Sequence, residues 1–127
     1  MIKVLIVDDE PAIAESLGEI LRLAGYGVET ATRGEEAISK AEQFSPEVLL
    51  SDVLMPAMNG FELALRIKEM FPQCRLLMFS GQASTAQLAK ESSATFTRMG
   101  YRFELLPKPL HPDALLKVLE ESLTRAA

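Results

Sequence analysis

The sequence predicts an α/β domain, one doubly wound sheet of five parallel strands with five helices. Three observations carry that expectation. Short apolar runs alternate with stretches of helical periodicity along the chain. The connections between them are short, with no repeat, low-complexity segment or interdomain linker. The first run, Ile2-Lys3-Val4-Leu5-Ile6-Val7, is almost continuously apolar, as a strand covered on both faces must be.

The first strand is expected over residues 2–7. A helix over 11–24 follows, because Ile13, Leu17, Ile20, Leu21 and Ala24 recur at helical spacing. Pro11 suits its first turn and Gly25 its stop. A short, weak second strand is expected over 27–30, and a second helix over 34–44 that ends before Ser45-Pro46. The third strand, 48–51, runs into Asp52 and then a loop, 53–60. The third helix, 61–70, carries Phe61, Leu63, Ala64, Leu65 and Ile67 and is ended by Pro72. The fourth strand is 76–79, and Ser80-Gly81 opens a turn. Residues 82–99 hold many Ser and Thr, which are poor helix formers; they read as a fourth helix, frayed or broken, capped by Gly100. The fifth strand is 102–106, and the fifth helix is 112–123 with Leu115, Leu116, Leu119 and Leu123 on its apolar side.

At 127 residues, with 48% hydrophobic side chains, the chain is the size of one domain with a real core, 1–127, and no second domain is visible. A net charge of -5 argues against a nucleic-acid surface, which needs clustered Lys and Arg. The single cysteine, Cys74, cannot form an intrachain disulfide and reads as a packed thiol. No signal peptide is visible and no apolar run approaches the roughly 18 residues of a membrane span, so a cytoplasmic location with no membrane contact is expected.

Asp8-Asp9, Asp52 and Lys108 each fall just past an apolar run. In a parallel sheet those positions lie along one edge, where ligands bind in open α/β folds. Read singly, Asp8-Asp9 could cap the first helix, Asp52 could be a turn residue and Lys108 a solvated surface residue. Read together, three carboxylates repel one another and call for a cation. Mg²⁺ (or another small divalent cation) is the natural candidate, because it takes oxygen ligands and retains open positions. Lys108 adds a mobile positive charge, its backbone fixed by Pro107 and Pro109. Asp52, central among the acids, is the best placed nucleophile, and attack on phosphorus would give an acyl phosphate. Ser80 offers a hydroxyl to a phosphoryl oxygen. His111, the sole histidine, lies in a loop before Pro112 without an acidic partner in sequence and reads as a solvent-facing residue.

These pieces resemble the receiver domain of response regulators in two-component signalling. The matching residues are Val7-Asp8-Asp9-Glu10, the run Asp52-x-x-Met55-Pro56-x-x-Asn59-Gly60, Ser80 closing the fourth strand and Lys108-Pro109 closing the fifth. The resemblance covers the chain in the family's order. It implies a flavodoxin-like sheet of strand order 2-1-3-4-5, with Asp52 as phospho-acceptor. Asp9 and Asp52 would ligate Mg²⁺ directly, Asp8 directly or through water, and the backbone carbonyl of Leu54 would be a further ligand. Ser80 and Lys108 would hold the phosphoryl group, and the Lys108-Pro109 bond would be cis. The implied donor is a histidine kinase or histidine phosphotransfer protein. A downstream protein would read the state through the fourth helix, fifth strand and fifth helix, with the chain a monomer or a phosphorylation-linked dimer. Such a domain signals; its only chemistry is its own phosphorylation and dephosphorylation.

Two features depart from the family pattern. Leu105 stands where receivers commonly carry a switching Tyr or Phe, with Phe103 two residues earlier. The interval from Ser80 to Lys108 is several residues longer than usual, which places the extra length in or after the fourth helix. Leu54 and Gln82 are expected at the mouth of the site. A receiver working without phosphorylation is the alternative, against which the intact acids, Ser80 and Lys108 speak. A phosphatase of the haloacid-dehalogenase kind would need Asp-x-Asp after the first strand, which Asp8-Asp9-Glu10 does not supply. No Gly-rich phosphate loop follows that strand, which disfavours a dinucleotide carrier.

Overall fold

The computed structural model describes residues 1–81 and 85–125. Strand and helix alternate: β1 (Lys3–Val7), α1 (Pro11–Leu23), β2 (Gly27–Ala31), α2 (Gly34–Phe44), β3 (Val48–Asp52), α3 (Gly60–Met70), β4 (Arg75–Ser80), α4 (Thr85–Met99), β5 (Glu104–Pro107) and α5 (Pro112–Thr124). The five strands form one parallel sheet in the order β2-β1-β3-β4-β5. The expected flavodoxin-like order is thus the one observed.

Strand pleating sends alternate side chains to opposite faces. Leu5, Val7 and Leu49 pack beneath α2, α3 and α4, with Ala37, Ala41, Phe61, Ile67 and Phe96. Val4, Ile6, Val48 and Leu50 pack beneath α1 and α5, with Leu17, Leu21, Leu115 and Leu119. β1 and β3 are central and covered on both sides, which is why their sequences lack polar alternation. β2 and β5 are the edges and are only partly buried.

Element boundaries differ from the sequence-based expectation by one or two residues, for local reasons. α3 starts at Gly60 because Asn59 and Glu62 form a reciprocal cap: the Asn59 Oδ1 accepts from the Glu62 amide at 2.9 Å, and Glu62 Oε1 accepts from the Asn59 amide at 3.1 Å. β5 starts at Glu104, two residues late, because Phe103 leaves the strand path to join an aromatic box. Its ring lies 5.0 Å from Phe61 and 5.1 Å from Phe96, both edge-on. Such pairs add about 0.5–1.5 kcal/mol each beyond burial. The described part of the fourth helix, Thr85–Met99, is unbroken despite its Ser and Thr content; Phe96, anchored in the box, is one of only two buried residues along it. Gly100, at φ +75, ends it as expected. Gln82, expected to begin this helix and to sit at the mouth of the site, lies outside the described residues.

Candidate functional site

The register of the sheet decides where the polar residues go. Val7 pairs with Ser51, Asp52 with Phe79, and Ser80 with Pro107. The residues that end β1, β3, β4 and β5 therefore reach the same edge together. Asp8 follows β1, Asp52 ends β3, Ser80 ends β4 and Lys108 follows β5.

The three acids converge there. One carboxylate oxygen from each of Asp8, Asp9 and Asp52 lies within 4.8 Å of the others. Asp8 is fully buried and Asp52 is 7% exposed, while Asp9 faces solvent. Asp8 Oδ1 accepts from the Glu10 amide at 2.9 Å. Its Oδ2 is buried with no hydrogen-bond partner among the described residues. Lys108 Nζ reaches into the group, 3.2 Å from Asp52 Oδ2 and 3.6 Å from Asp8 Oδ2. The ammonium also lies 5.1 Å from the centre of the Phe79 ring.

One ammonium does not offset three acids. Burial pushes the Asp8 carboxyl above the ordinary aspartate value; the Glu10 amide and Lys108 pull it down but do not compensate. Asp52 is raised for the same reason, with Lys108 the main opposing influence. Burial works against the charge on Lys108, but Asp52 and then Asp8 outweigh it and raise that amine. Burial thus disfavours the charged form of Asp8 and Asp52, while those two carboxylates favour the charged form of Lys108.

Close backbone approaches fix the geometry. A Cβ on Gly60 would sit 2.2 Å from the Asp52 carbonyl oxygen, so only glycine fits beside the strand end. A Cβ on Gly81 would meet the Lys108 side chain at 3.0 Å. The Lys108 amide donates to the Ser80 carbonyl at 3.0 Å, and the Lys108-Pro109 bond is cis, as the resemblance implies. Leu54, in the loop after β3, is 40% exposed.

The Ser80 hydroxyl bonds to the hydroxyl of Thr85, the buried first residue of α4. Nothing in the sequence marks Thr85, because the contact depends on where α4 begins. His111 is an exposed residue before α5, in keeping with its reading as a loop residue. Cys74 is buried, and burial pushes its thiol up to about 12, in keeping with its reading as a packed thiol. Leu105 is 46% exposed and lies apart from the box that holds Phe103. No helix among the described residues is long and apolar enough to cross a membrane.

Known proteins share this sequence pattern and fold. Residues 4–120 match the family described as response regulator receiver domain. The transcriptional regulatory protein TrcR of Mycobacterium tuberculosis is 41% identical over 68 residues, which are 54% of this chain and 26% of that protein. The matched stretch is thus about a quarter of that regulator's length. The chemotaxis protein CheY4 of Vibrio cholerae superposes with a TM-score of 0.83 at 35% identity, covering 96% of this chain and 98% of that one. The response regulator TrrA of Thermotoga maritima, solved in complex with Mg²⁺-BeF, gives 0.78 at 27% identity over 95% of this chain and 98% of that one. The chain belongs to the response regulator receiver domains, the signalling modules of two-component systems that work with histidine kinases and downstream effectors.

Proposed function

We propose that Asp52 accepts a phosphoryl group from a histidine kinase or histidine phosphotransfer protein, and that residues 1–127 act as one receiver unit. The observation that carries this reading is the buried, unbonded Asp8 Oδ2 among three converging carboxylates. That donor set is all oxygen and anionic, and it fits a small divalent cation such as Mg²⁺. Asp8, Asp9 and Asp52 would hold it, with the backbone carbonyl of Leu54. When bound, the cation neutralises the carboxylates and the charge on the phosphoryl oxygens.

A carboxylate oxygen of Asp52 forms the new bond to phosphorus while the donor's phosphorus–nitrogen bond breaks. The electron pair leaves with the imidazole, which takes up a proton from water. The product is an acyl phosphate on Asp52. Lys108, already 3.2 Å from Asp52 Oδ2, follows the negative charge onto the phosphoryl oxygens. The Ser80 hydroxyl donates to a second one, exchanging its contact with Thr85 for the phosphoryl group. Water later hydrolyses the acyl phosphate and resets the chain, so this self-directed chemistry times a signal. The signal is read by a downstream protein on the face formed by α4, β5 and α5, by the monomer or by a phosphorylation-linked dimer.

Intact mass after incubation with acetyl phosphate and Mg²⁺ tests this reading. One phosphoryl adduct is expected on the parent chain and none on Asp52→Ala. An unmodified parent, or an adduct that survives in Asp52→Ala, rejects Asp52 as acceptor and leaves a receiver that acts by contact alone.

A further inference from the structure

The opposite edge of the sheet, where β4 and β5 begin, has the reverse electrostatics. A crevice of about 430 Å³ opens there, lined by Lys68, Arg75, Arg102 and Arg125 together with Tyr101 and Glu104. A second hollow of about 260 Å³ adjoins it and shares Tyr101, Arg102, Glu104 and Arg125. Four of the chain's 13 Lys and Arg residues therefore gather in one place, in a chain of net charge -5. Among the described residues, Glu104 is the only carboxylate lining either hollow, and Arg125 pairs with it.

The other cations are positioned but not neutralised. Arg75 Nη2 donates to the Arg125 carbonyl at 2.9 Å, which leaves its remaining donors unused by that bond. Lys68 Nζ donates to the Pro72 carbonyl at 2.9 Å and lies 5.5 Å from the centre of the Tyr101 ring. Burial and the nearby Arg75 lower the Lys68 amine, as expected of a cation without an anion beside it. Arg102 has neither a hydrogen-bond nor an ion-pair partner among the described residues. The wall that presents it is fixed: the Tyr101 amide bonds to the Phe96 carbonyl at 2.8 Å, after Gly100 at φ +75. Like charges gathered in this way oppose folding unless an anion joins them.

We propose that this crevice is a second ligand site, which takes a small phosphate-bearing molecule. Guanidinium forks match phosphate oxygens in pairs, and three of the four cations are arginines. The volume lies in the range of small-molecule pockets, about 300–1,000 Å³. The site is independent of Asp52: it lies at the other end of the strands and shares no residue with the acidic cluster.

Inorganic pyrophosphate, added without divalent cations and at constant ionic strength, is the probe. Amide shifts in a ¹⁵N NMR titration should saturate at residues 74–76 and 100–104. The double substitution Arg75→Gln, Arg102→Gln should weaken binding at least tenfold. If that variant does not fold, Lys68→Gln alone should weaken it severalfold. Shifts that stay linear in concentration would overturn the proposal, as would shifts confined to the amides around Asp52 and Lys108. Equal binding of citrate would overturn the phosphate class.

Discussion

The half of the sheet around β1 and β3 and the flank formed by α4 and β5 are built to different standards of order. Every residue of β3 is buried, and so are Val4 to Val7 of β1. Asp8 and Asp52 extend directly from those strands. By contrast, α4 is the longest helix yet buries only Thr85 and Phe96, and β5 is a four-residue edge strand. The two regions meet along the β4–β5 ladder and, through side chains, at the Ser80–Thr85 hydroxyl pair, at Lys108, and at Phe103 set between Phe61 and Phe96. The candidate acids extend from the buried strands, and the element expected to respond is the less buried one, where local opening costs less. Leu105, exposed in place of an aromatic, fits that division: α4 is held by Phe96 and Phe103, not by a ring on β5.

The largest effect expected is from Phe96→Ala, which empties the aromatic box. A loss of about 3–4 kcal/mol should appear in urea unfolding, with faster amide exchange across residues 85–99. A loss below about 1 kcal/mol would mean that something else anchors the flank. Gly60→Ala tests the rigid half. Its new Cβ would meet the Asp52 carbonyl at 2.2 Å, and a loss of about 2–3 kcal/mol is expected, together with slower phosphoryl uptake.

A smaller effect of opposite sign is expected from Asp8→Asn without divalent cations. Burial raises both Asp8 and Asp52 above the ordinary carboxylate value. A raised acid binds its proton more tightly in the folded state, so its contribution is fully present below the unfolded value and is lost as pH rises through the folded one. The variant should therefore gain about 1 kcal/mol over the parent at pH 7. The gain should vanish in acid, where Asp8 is protonated, and urea unfolding across pH reads both. The smallest effect is expected at Ala57, a non-glycine residue at φ +68 in the loop after β3. Ala57→Gly should stabilise by about 0.5–1 kcal/mol in the same assay.

Sequence periodicity located the strands and most helices, because burial of one or both faces leaves a repeating signal; α4, which buries only Thr85 and Phe96, was expected frayed or broken and is unbroken over Thr85–Met99. Periodicity also placed Asp8, Asp9, Asp52, Ser80 and Lys108 on one edge, since parallel strands must end together. Thr85 and the Phe61–Phe96–Phe103 box were not legible. Each depends on a contact between segments whose separation in sequence carries no period. The basic crevice was hidden for the same reason, its cations being spread from Lys68 to Arg125. The start of α3 was missed by one residue because a reciprocal side-chain cap, not the apolar pattern, sets it.

The central claim is that the buried acids on the rigid half are electrostatically incomplete without a divalent cation. Calorimetric titration of Mg²⁺ into the parent chain and into Asp9→Asn at pH 7 tests it most directly. Saturable one-site binding to the parent is expected, weakened at least tenfold in the variant. No binding to the parent, or equal binding to both, would contradict the account.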